Sequence, residues 1–129
     1  MTWNIGDKVE EVFPDASFIW RFSLLKGVVR RKQFVITRTT PKKVFMAEVR
    51  LEDGSLVVYD VEEPILKSKI NQITSGLIID QMVVYSDSEN EGKALIKLAL
   101  MKEILRLEKE VETTKETLNK TKELLTEFR

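Results

Sequence analysis

Residues 88–129 read SENEGKALIKLALMKEILRLEKEVETTKETLNKTKELLTEFR, and this stretch decides the fold. It contains no proline and one glycine, Gly92, so it has the composition of an uninterrupted helix. From Leu100 onward, apolar residues and threonines recur at alternating steps of four and three, the heptad repeat of helices that pack on other helices. One core position holds Ile104, Val111, Leu118 and Leu125, and the other holds Leu100, Leu107, Thr114, Thr121 and Phe128.

A helix of about 40 residues is roughly 60 Å long, because each residue adds about 1.5 Å. A small domain does not cover an apolar stripe of that length, so we expect a partner helix to cover it. Apolar residues are dense over residues 94–107, which we expect to pack on the rest of the chain as well, and they narrow to the heptad positions from Lys109. We therefore predict a homo-oligomer, a dimer or larger, joined by this helix; a helix folded back on its own chain is the alternative.

The charges beside the heptad positions leave the orientation of the helices open. A parallel pair places Glu110 beside the partner subunit's Lys115, which is attractive. The same pair places Glu103 beside the partner subunit's Glu108, which is repulsive. Thr114 and Thr121 weaken the seam and restrict its register, because each buries a hydroxyl group.

The rest of the chain has the alternating pattern and the turn chemistry of β-structure. Asp53-Gly54 lies between two alternating runs and predicts a tight hairpin, in which glycine supplies a positive φ. We expect Pro64 to end the strand after this turn, because proline cannot donate to a ladder. Residues 65–76 predict a short helix or an irregular crossing. The predicted strands are residues 9–13, 18–25, 28–38, 44–51, 56–61 and 77–85.

The helix start has two candidate capping boxes, Ser86 with Glu89 and Ser88 with Glu91. Residues 87–92 also resemble the first half of a calcium loop, with oxygen ligands at alternate places and Gly92 at the sixth. The twelfth place needs a glutamate and holds Leu98, so we expect a helix cap and no metal site.

Composition removes most catalytic chemistry. The 129 residues include no histidine and no cysteine, which excludes Ser-His and Cys-His arrangements, thiolate metal sites and disulfides. No glycine-rich phosphate loop and no acid pair at a diagnostic spacing is present. We predict that the protein is not an enzyme and holds no cofactor. No run of 18 apolar residues and no signal-peptide pattern occurs, so we expect a cytoplasmic protein without a membrane partner.

The net charge of zero conceals two blocks of opposite sign. Residues 21–50 contain nine Lys or Arg and one acid, and residues 51–92 contain two Lys and nine acids. The basic block predicts a surface for a phosphate-bearing ligand, nucleic acid or nucleotide, with aromatic rings that stack on bases. The predicted ligand residues are Arg30, Arg31, Lys32, Arg38, Lys42 and Lys43, with Phe34, Trp20 or Tyr59 as stacking rings. The alternative is solvated edge-strand charge that prevents aggregation and pairs with the acidic block.

Four segments carry a family resemblance: Gly6-Asp7-Lys8-Val9, Gly27-Val28-Val29, Glu48-Val49-Arg50-Leu51 and Asp53-Gly54-Ser55. Together they resemble a Tudor- or KOW-type SH3-like barrel over about residues 5–65. The resemblance implies a small, strongly bent barrel that binds nucleic acid, RNA polymerase or a peptide.

The sequence as a whole predicts an α+β protein. A small antiparallel, SH3-like β-sheet or barrel occupies residues 1–87, and a long coiled-coil helix for oligomerisation occupies residues 88–129. The predicted function is a non-enzymatic, homo-oligomeric binding protein whose basic β face binds a phosphate-bearing ligand. The alternative is a protein-interaction or inhibitor module, such as a small viral accessory protein that blocks a host factor.

Overall fold

The computed structural model describes residues 3–25, 27–75 and 81–128, which fall into two compact units, Met1–Lys97 and Leu98–Arg129. The fold is α+β, as predicted, with an antiparallel sheet followed by a long helix. The elements are α1 (Val9–Val12), β1 (Phe18–Leu25), β2 (Val28–Thr39), β3 (Lys43–Glu52), β4 (Ser55–Leu66), a 3₁₀ turn (Lys67–Lys69), β5 (Gln72–Ser75), β6 (Gln81–Ser86) and α2 (Glu89–Glu127).

The six strands form an open antiparallel sheet in the order β4-β3-β2-β1-β6-β5. The first four strands are joined by hairpins, and β6 then pairs with the outer side of β1. Asp53 and Gly54 both have positive φ, 49° and 81°, and Glu52 pairs with Ser55. This geometry confirms the predicted hairpin, since a two-residue turn with positive φ matches the twist of the strands it joins.

The sheet is curled rather than flat, because its two edge strands are consecutive in the chain. Only residues 67–71 connect β4 at one edge to β5 at the other. Six strands laid flat would separate those edges by about 24 Å, whereas the connection, which contains a 3₁₀ turn, reaches at most about 20 Å. The amide of Lys67 also donates to the carbonyl of Lys42, which ties the connection to the start of β3. One face of the sheet is therefore concave.

Each face of the sheet carries its own core cluster. The concave face holds Ile19, Phe34, Val44, Met46 and Ile65, with Ile70 and Tyr85 packed against them. The opposite face holds Val35, Ala47, Val49 and Val58, and the amino-terminal segment covers it with Trp3, Val9 and Phe13. Burial on both faces explains why Met46 and Glu48 are buried although alternation alone placed them opposite the apolar side of their strand.

The predicted first strand over residues 9–13 is wrong. Val9–Val12 form a single helical turn, whose Val9 side chain is buried in the cluster of the convex face. Val9 and Val12 are three residues apart, which places them on the same side of a helical turn. Glu10 and Glu11 lie between them and are exposed. Before the turn, Lys8 makes an isolated antiparallel bridge to Val57.

The sequence predicted that Pro64 ends its strand, and this prediction is wrong. β4 continues to Leu66, and Pro64 pairs with Phe45 on β3. β4 is an edge strand, so the missing amide of proline costs no ladder hydrogen bond there. Within residues 65–76 a 3₁₀ turn is followed by β5, and the last strand is Gln81–Ser86. Residues 77–80 of the predicted last strand lie outside the described residues.

α2 begins after Ser88. The hydrogen bonds at its start show which of the two predicted serines caps the helix. The Ser88 hydroxyl accepts a hydrogen bond of 3.3 Å from the Glu91 amide. The Ser86 hydroxyl accepts one of 3.1 Å from the Ser88 amide and donates one of 2.5 Å to the Asn71 side chain. Gly92 in the first turn lies against the ring of Phe22, where a Cβ would meet ring carbons at 2.7 and 2.9 Å.

We expect Gly92→Ala to destabilise the protein although alanine favours a helix. The helix gains about 1 kcal/mol from the exchange, but the methyl group overlaps the buried Phe22 ring, and overpacking costs about 1–3 kcal/mol. Urea unfolding of Gly92→Ala should show a lower midpoint, and adding Phe22→Leu should make the glycine exchange less costly. The control is Asn90→Ala on the exposed side of the same turn. A higher midpoint for Gly92→Ala alone would contradict the close contact.

Candidate functional site

A cleft opens where the neighbouring strands β2 and β3 separate. The β2–β3 ladder runs from the Thr39 end to Gln33, which pairs with Val49, and goes no further. Beyond that pair, and among the described residues, the strand pairing of residues 28–32 is with β1 and that of residues 50–52 is with β4. The two hairpin ends therefore diverge and leave a cleft of about 470 Å³ between them. Its lining is Arg31, Lys32, Gln33, Glu48, Val49, Arg50, Leu51 and Leu56.

A buried carboxylate fixes two cations at the cleft. Glu48 is 6% exposed, and its oxygens lie 3.2 Å from the Lys32 ammonium and 3.3 Å from the Arg50 guanidinium. Burying a charged group without a partner is costly, so the two cations compensate the buried charge of Glu48. The same two ion pairs hold both cations in place. The two cationic side chains are themselves about half exposed, at 42% and 51%. They are therefore oriented by Glu48 and still accessible from the cleft.

Arg50 also stacks on a tyrosine beside a second, smaller recess. Its guanidinium carbon lies 3.4 Å from the centre of the Tyr59 ring, and that ring is 46% exposed. The recess has a volume of about 170 Å³ and is lined by Ile5, Gly6, Arg50, Glu52, Val57, Val58 and Tyr59. Arg50 thus lines both the cleft and the recess.

A third opening, on the concave face, has the opposite electrostatic character. It measures about 60 Å³ and includes Arg21 and Lys32 with three acids, Glu48, Asp60 and Glu63. The Arg21 guanidinium packs over Phe34 at 5.4 Å and over Tyr85 at 6.0 Å. By contrast, the cleft has three cations and one carboxylate in its lining, so an anion is favoured in the cleft and disfavoured here.

The structure does not bring all six predicted basic ligand residues together. Arg30, Arg31 and Lys32 lie at the cleft end of β2, whereas Arg38, Lys42 and Lys43 lie at its far end. Eight residues of strand separate Arg30 from Arg38, which is about 26 Å. Arg31 pairs with Glu89 at 2.8 Å. Arg38 pairs with Glu62 at 3.0 Å and stacks on Phe45 at 3.7 Å.

The two predicted aromatic residues lie inside the sheet packing. Phe34 is 3% exposed in the concave core cluster. Trp20 is half-buried, with its ring 6.1 Å from that of Phe18. Tyr59, the third ring considered, is the exposed one and lies at Arg50.

The predicted set of ligand residues lacked Glu48, Arg50 and Glu52. All three lie on β3, where they alternate in sequence with Val49 and Leu51. Glu48, the sole acid within residues 21–50, was the available signal, because an isolated acid in a basic block marks a partner for neighbouring cations.

The heptad seam, from Leu100 to Phe128, lies within the Leu98–Arg129 unit. In it, Ile104, Val111, Leu118 and Leu125 are exposed at 52–57%, and Leu107 and Phe128 are exposed as well. The Thr121 hydroxyl donates to the Thr117 carbonyl at 2.8 Å, so this threonine satisfies its hydroxyl within its own helix. Beside the seam, Arg106 binds Glu103 and, at 2.7 Å, Glu110.

Within the described residues, no group of three or more acidic residues is placed to hold a metal ion. Within the same ranges, no helix combines the length and the apolar character needed to cross a membrane. Comparison with family models, curated proteins and solved structures found no match to this chain.

We expect Glu62 to titrate below the ordinary glutamate range. The Thr37 hydroxyl donates to its carboxylate at 2.7 Å and lowers its pKa most; burial raises the pKa, and Arg38 lowers it further. A carboxyl group with a lowered folded-state pKa stabilises the protein above the unfolded pKa, and this stabilisation disappears as pH falls through the folded pKa.

Thr37→Val removes the donor and should raise the pKa of Glu62 in an NMR titration of the side-chain carboxyl. In urea unfolding, the stability difference between wild type and Thr37→Val should be largest near neutral pH and shrink under acid conditions. Thr40→Val, at the neighbouring turn, is the control. An unchanged Glu62 titration in Thr37→Val would refute the role of this hydrogen bond.

Proposed function

We propose that the protein is a non-enzymatic, homo-oligomeric binding protein whose cleft binds a phosphate-bearing ligand, with nucleic acid as the favoured class. The observation that carries this proposal is the cleft between the diverging ends of β2 and β3, with Arg31, Lys32 and Arg50 around it. Guanidinium and ammonium groups are the usual phosphate donors in proteins, and charge-assisted hydrogen bonds are the stronger kind.

The cations of the cleft suit a ligand that arrives from solvent. Arg31 is 49% exposed and uses one terminal nitrogen for Glu89, which leaves other donors of its guanidinium for a phosphate. Arg50 is held flat against Tyr59, so less rotamer entropy is lost when it binds. Arg30 adds a fourth exposed cation at the same end of β2.

The far basic group is the weaker candidate. Arg38 donates to Glu62 and stacks on Phe45, so it is already engaged. Lys42 on the turn before β3 and Lys43 at its start are exposed, and the pockets described above do not extend to them. We assign these residues the role of solvated surface charge, in which Arg38 pairs with Glu62 of the acidic block.

Homo-oligomerisation through a coiled coil is the second part of the proposal. The exposed seam of α2 repeats every seven residues, which suits a second helix of the same kind and no globular surface. The tight curl of the sheet and the 3₁₀ turn between β4 and β5 support the proposed likeness to an SH3-like barrel.

One observation favours the alternative, a protein-interaction module. In the described part of the chain, residues 28–32 and 50–52 have no strand partner across the cleft, and Val28, Val29 and Leu51 on these segments are exposed. An extended peptide pairs with such edges by strand addition. The cations of the cleft would select an acidic peptide.

We expect Arg31→Gln to weaken the binding of a labelled single-stranded DNA and to lower the salt slope of the binding constant by about one. Fluorescence anisotropy at salt concentrations from about 50 to 200 mM measures both quantities. Lys42→Gln is the matched control, since it removes one exposed cation outside the cleft.

Equal losses in Arg31→Gln and Lys42→Gln would assign binding to diffuse charge rather than to the cleft. Absence of binding to single-stranded DNA, RNA and polyphosphate at low salt would end the proposal. Recovery of one stoichiometric protein in a nuclease-treated pull-down, lost on blocking the strand edge with Leu51→Pro, would favour the alternative.

We expect Leu118→Asp to dissociate the oligomer into single chains, because it places a charge at the centre of the seam. Asn119→Asp is the control, since the same charge one residue later points away from the seam. Sedimentation equilibrium at micromolar concentration measures the mass. A wild-type monomer, or equal masses for the two variants, would contradict the coiled coil.

A further inference from the structure

We infer that the recess beside Tyr59 binds one unstacked nucleobase of the strand whose phosphates occupy the cleft, and that it prefers a base with an exocyclic amino group. This inference rests on the proposed function and adds a specificity to it. The ligand is then single-stranded, because bases in a duplex are stacked and paired and cannot enter a recess.

The recess has the shape and surface of a base site. It is about 170 Å³, with apolar walls from Ile5, Val57 and Val58 and a planar wall from the stacked Arg50 and Tyr59. Nucleobases bind proteins by stacking on aromatic rings and guanidinium planes. Tyr59 is 46% exposed, so part of its surface is open to such a contact.

The walls are fixed before any ligand arrives. The turn that carries Ile5 and Gly6 is joined to β4 by two backbone hydrogen bonds, from Gly6 to Val58 at 2.8 Å and from Val58 to Asp7 at 2.9 Å. Gly6 has a φ of 97°, a conformation that glycine adopts without strain. A pre-formed recess binds more tightly, since no ordering cost is incurred on binding.

Arg50 lies between the proposed site for the base and the proposed site for the phosphates of the nucleic-acid strand. It lines the recess with Tyr59 and the cleft with Arg31 and Lys32. A nucleotide whose base lies in the recess therefore has its phosphate on the side of Arg50 where the other two cations are. Glu48 holds Arg50 at 3.3 Å and keeps it between the two sites.

Glu52 supplies the preference among bases. Its carboxylate is the one acidic group among the residues that line the recess, and a carboxylate accepts hydrogen bonds without donating any. It pairs with the exocyclic amino group of cytosine, adenine or guanine. Thymine and uracil present a carbonyl oxygen instead, which a carboxylate repels.

The test compares three probes on the full chain at one salt concentration: oligodeoxycytidylate, oligodeoxythymidylate of the same length, and inorganic polyphosphate. We expect oligodeoxycytidylate to bind about fivefold or more tightly than oligodeoxythymidylate. Tyr59→Ser should weaken oligodeoxycytidylate about tenfold and polyphosphate much less, because polyphosphate loses only the ordering of Arg50 by the ring, whereas Tyr59→Phe should bind like wild type. Glu52→Gln should abolish the preference, because an amide also donates to the thymine carbonyl.

The outcomes distinguish failure of the base site from failure of the proposed function, the binding of a phosphate-bearing ligand by the cleft. If polyphosphate and both oligonucleotides bind equally and Tyr59→Ser changes nothing, the base site is refuted while anion binding by the cleft stands. If none of the three probes binds, the proposed function fails. Circular dichroism melting of each variant identifies loss of fold: a loss of oligodeoxycytidylate binding in a folded Tyr59→Ser supports the base site, and retained binding overturns it.

Discussion

The buried carboxylate of Glu48 organises the middle of this sheet. It lies at the point where β2 and β3 stop pairing, and it bonds to one cation from each strand, Lys32 and Arg50. A carboxylate that is 6% exposed costs several kcal/mol unless its charge is compensated. The Lys32–Glu48 pair joins β2 to β3 beside the last ladder pair, and the Arg50–Glu48 pair lies within β3. The cleft and the cations on its walls therefore share one physical origin.

The curl of the sheet has a similar consequence for packing. With its two edges joined by residues 67–71, the sheet buries a cluster on its concave face as well as one on its convex face. Alternation in β3 is then not a contrast between buried and exposed residues: Ala47, Val49, Met46 and Glu48 are all buried. Where the strands diverge the contrast is again absent, because the consecutive residues Arg50 and Leu51 are both exposed.

The sequence predicts the features that depend on local chemistry. It fails where the curl of the sheet decides what lies beside a residue. The tight turn at Asp53 and Gly54 and the α+β class depend on local chemistry and were predicted, whereas the sequence left the helix cap open between Ser86 and Ser88. The helical turn at Val9 and the passage of β4 through Pro64 depend on what lies beside them in space. The site divides in the same way. The cations of β2 form a run that is visible in the sequence. The places of Arg50 and Glu52 at the site depend on the separation of two hairpins, which the sequence does not show.

The pairing of charges within the chain also limits how the protein can bind anions. Arg31, Lys32, Arg38 and Arg50 each have a carboxylate partner in the described part of the chain. The pKa of Glu89 is lowered, chiefly by its hydrogen bond with Lys93 and also by Arg31, so this carboxylate stays ionised to a lower pH than an ordinary glutamate does. A phosphate must therefore share or displace these carboxylates, and the chain's neutral net charge supplies little long-range attraction. Affinity then depends on the geometry of a few cations rather than on bulk charge, which favours a ligand that reaches several of them together, as a strand of linked phosphates does and a single anion does not.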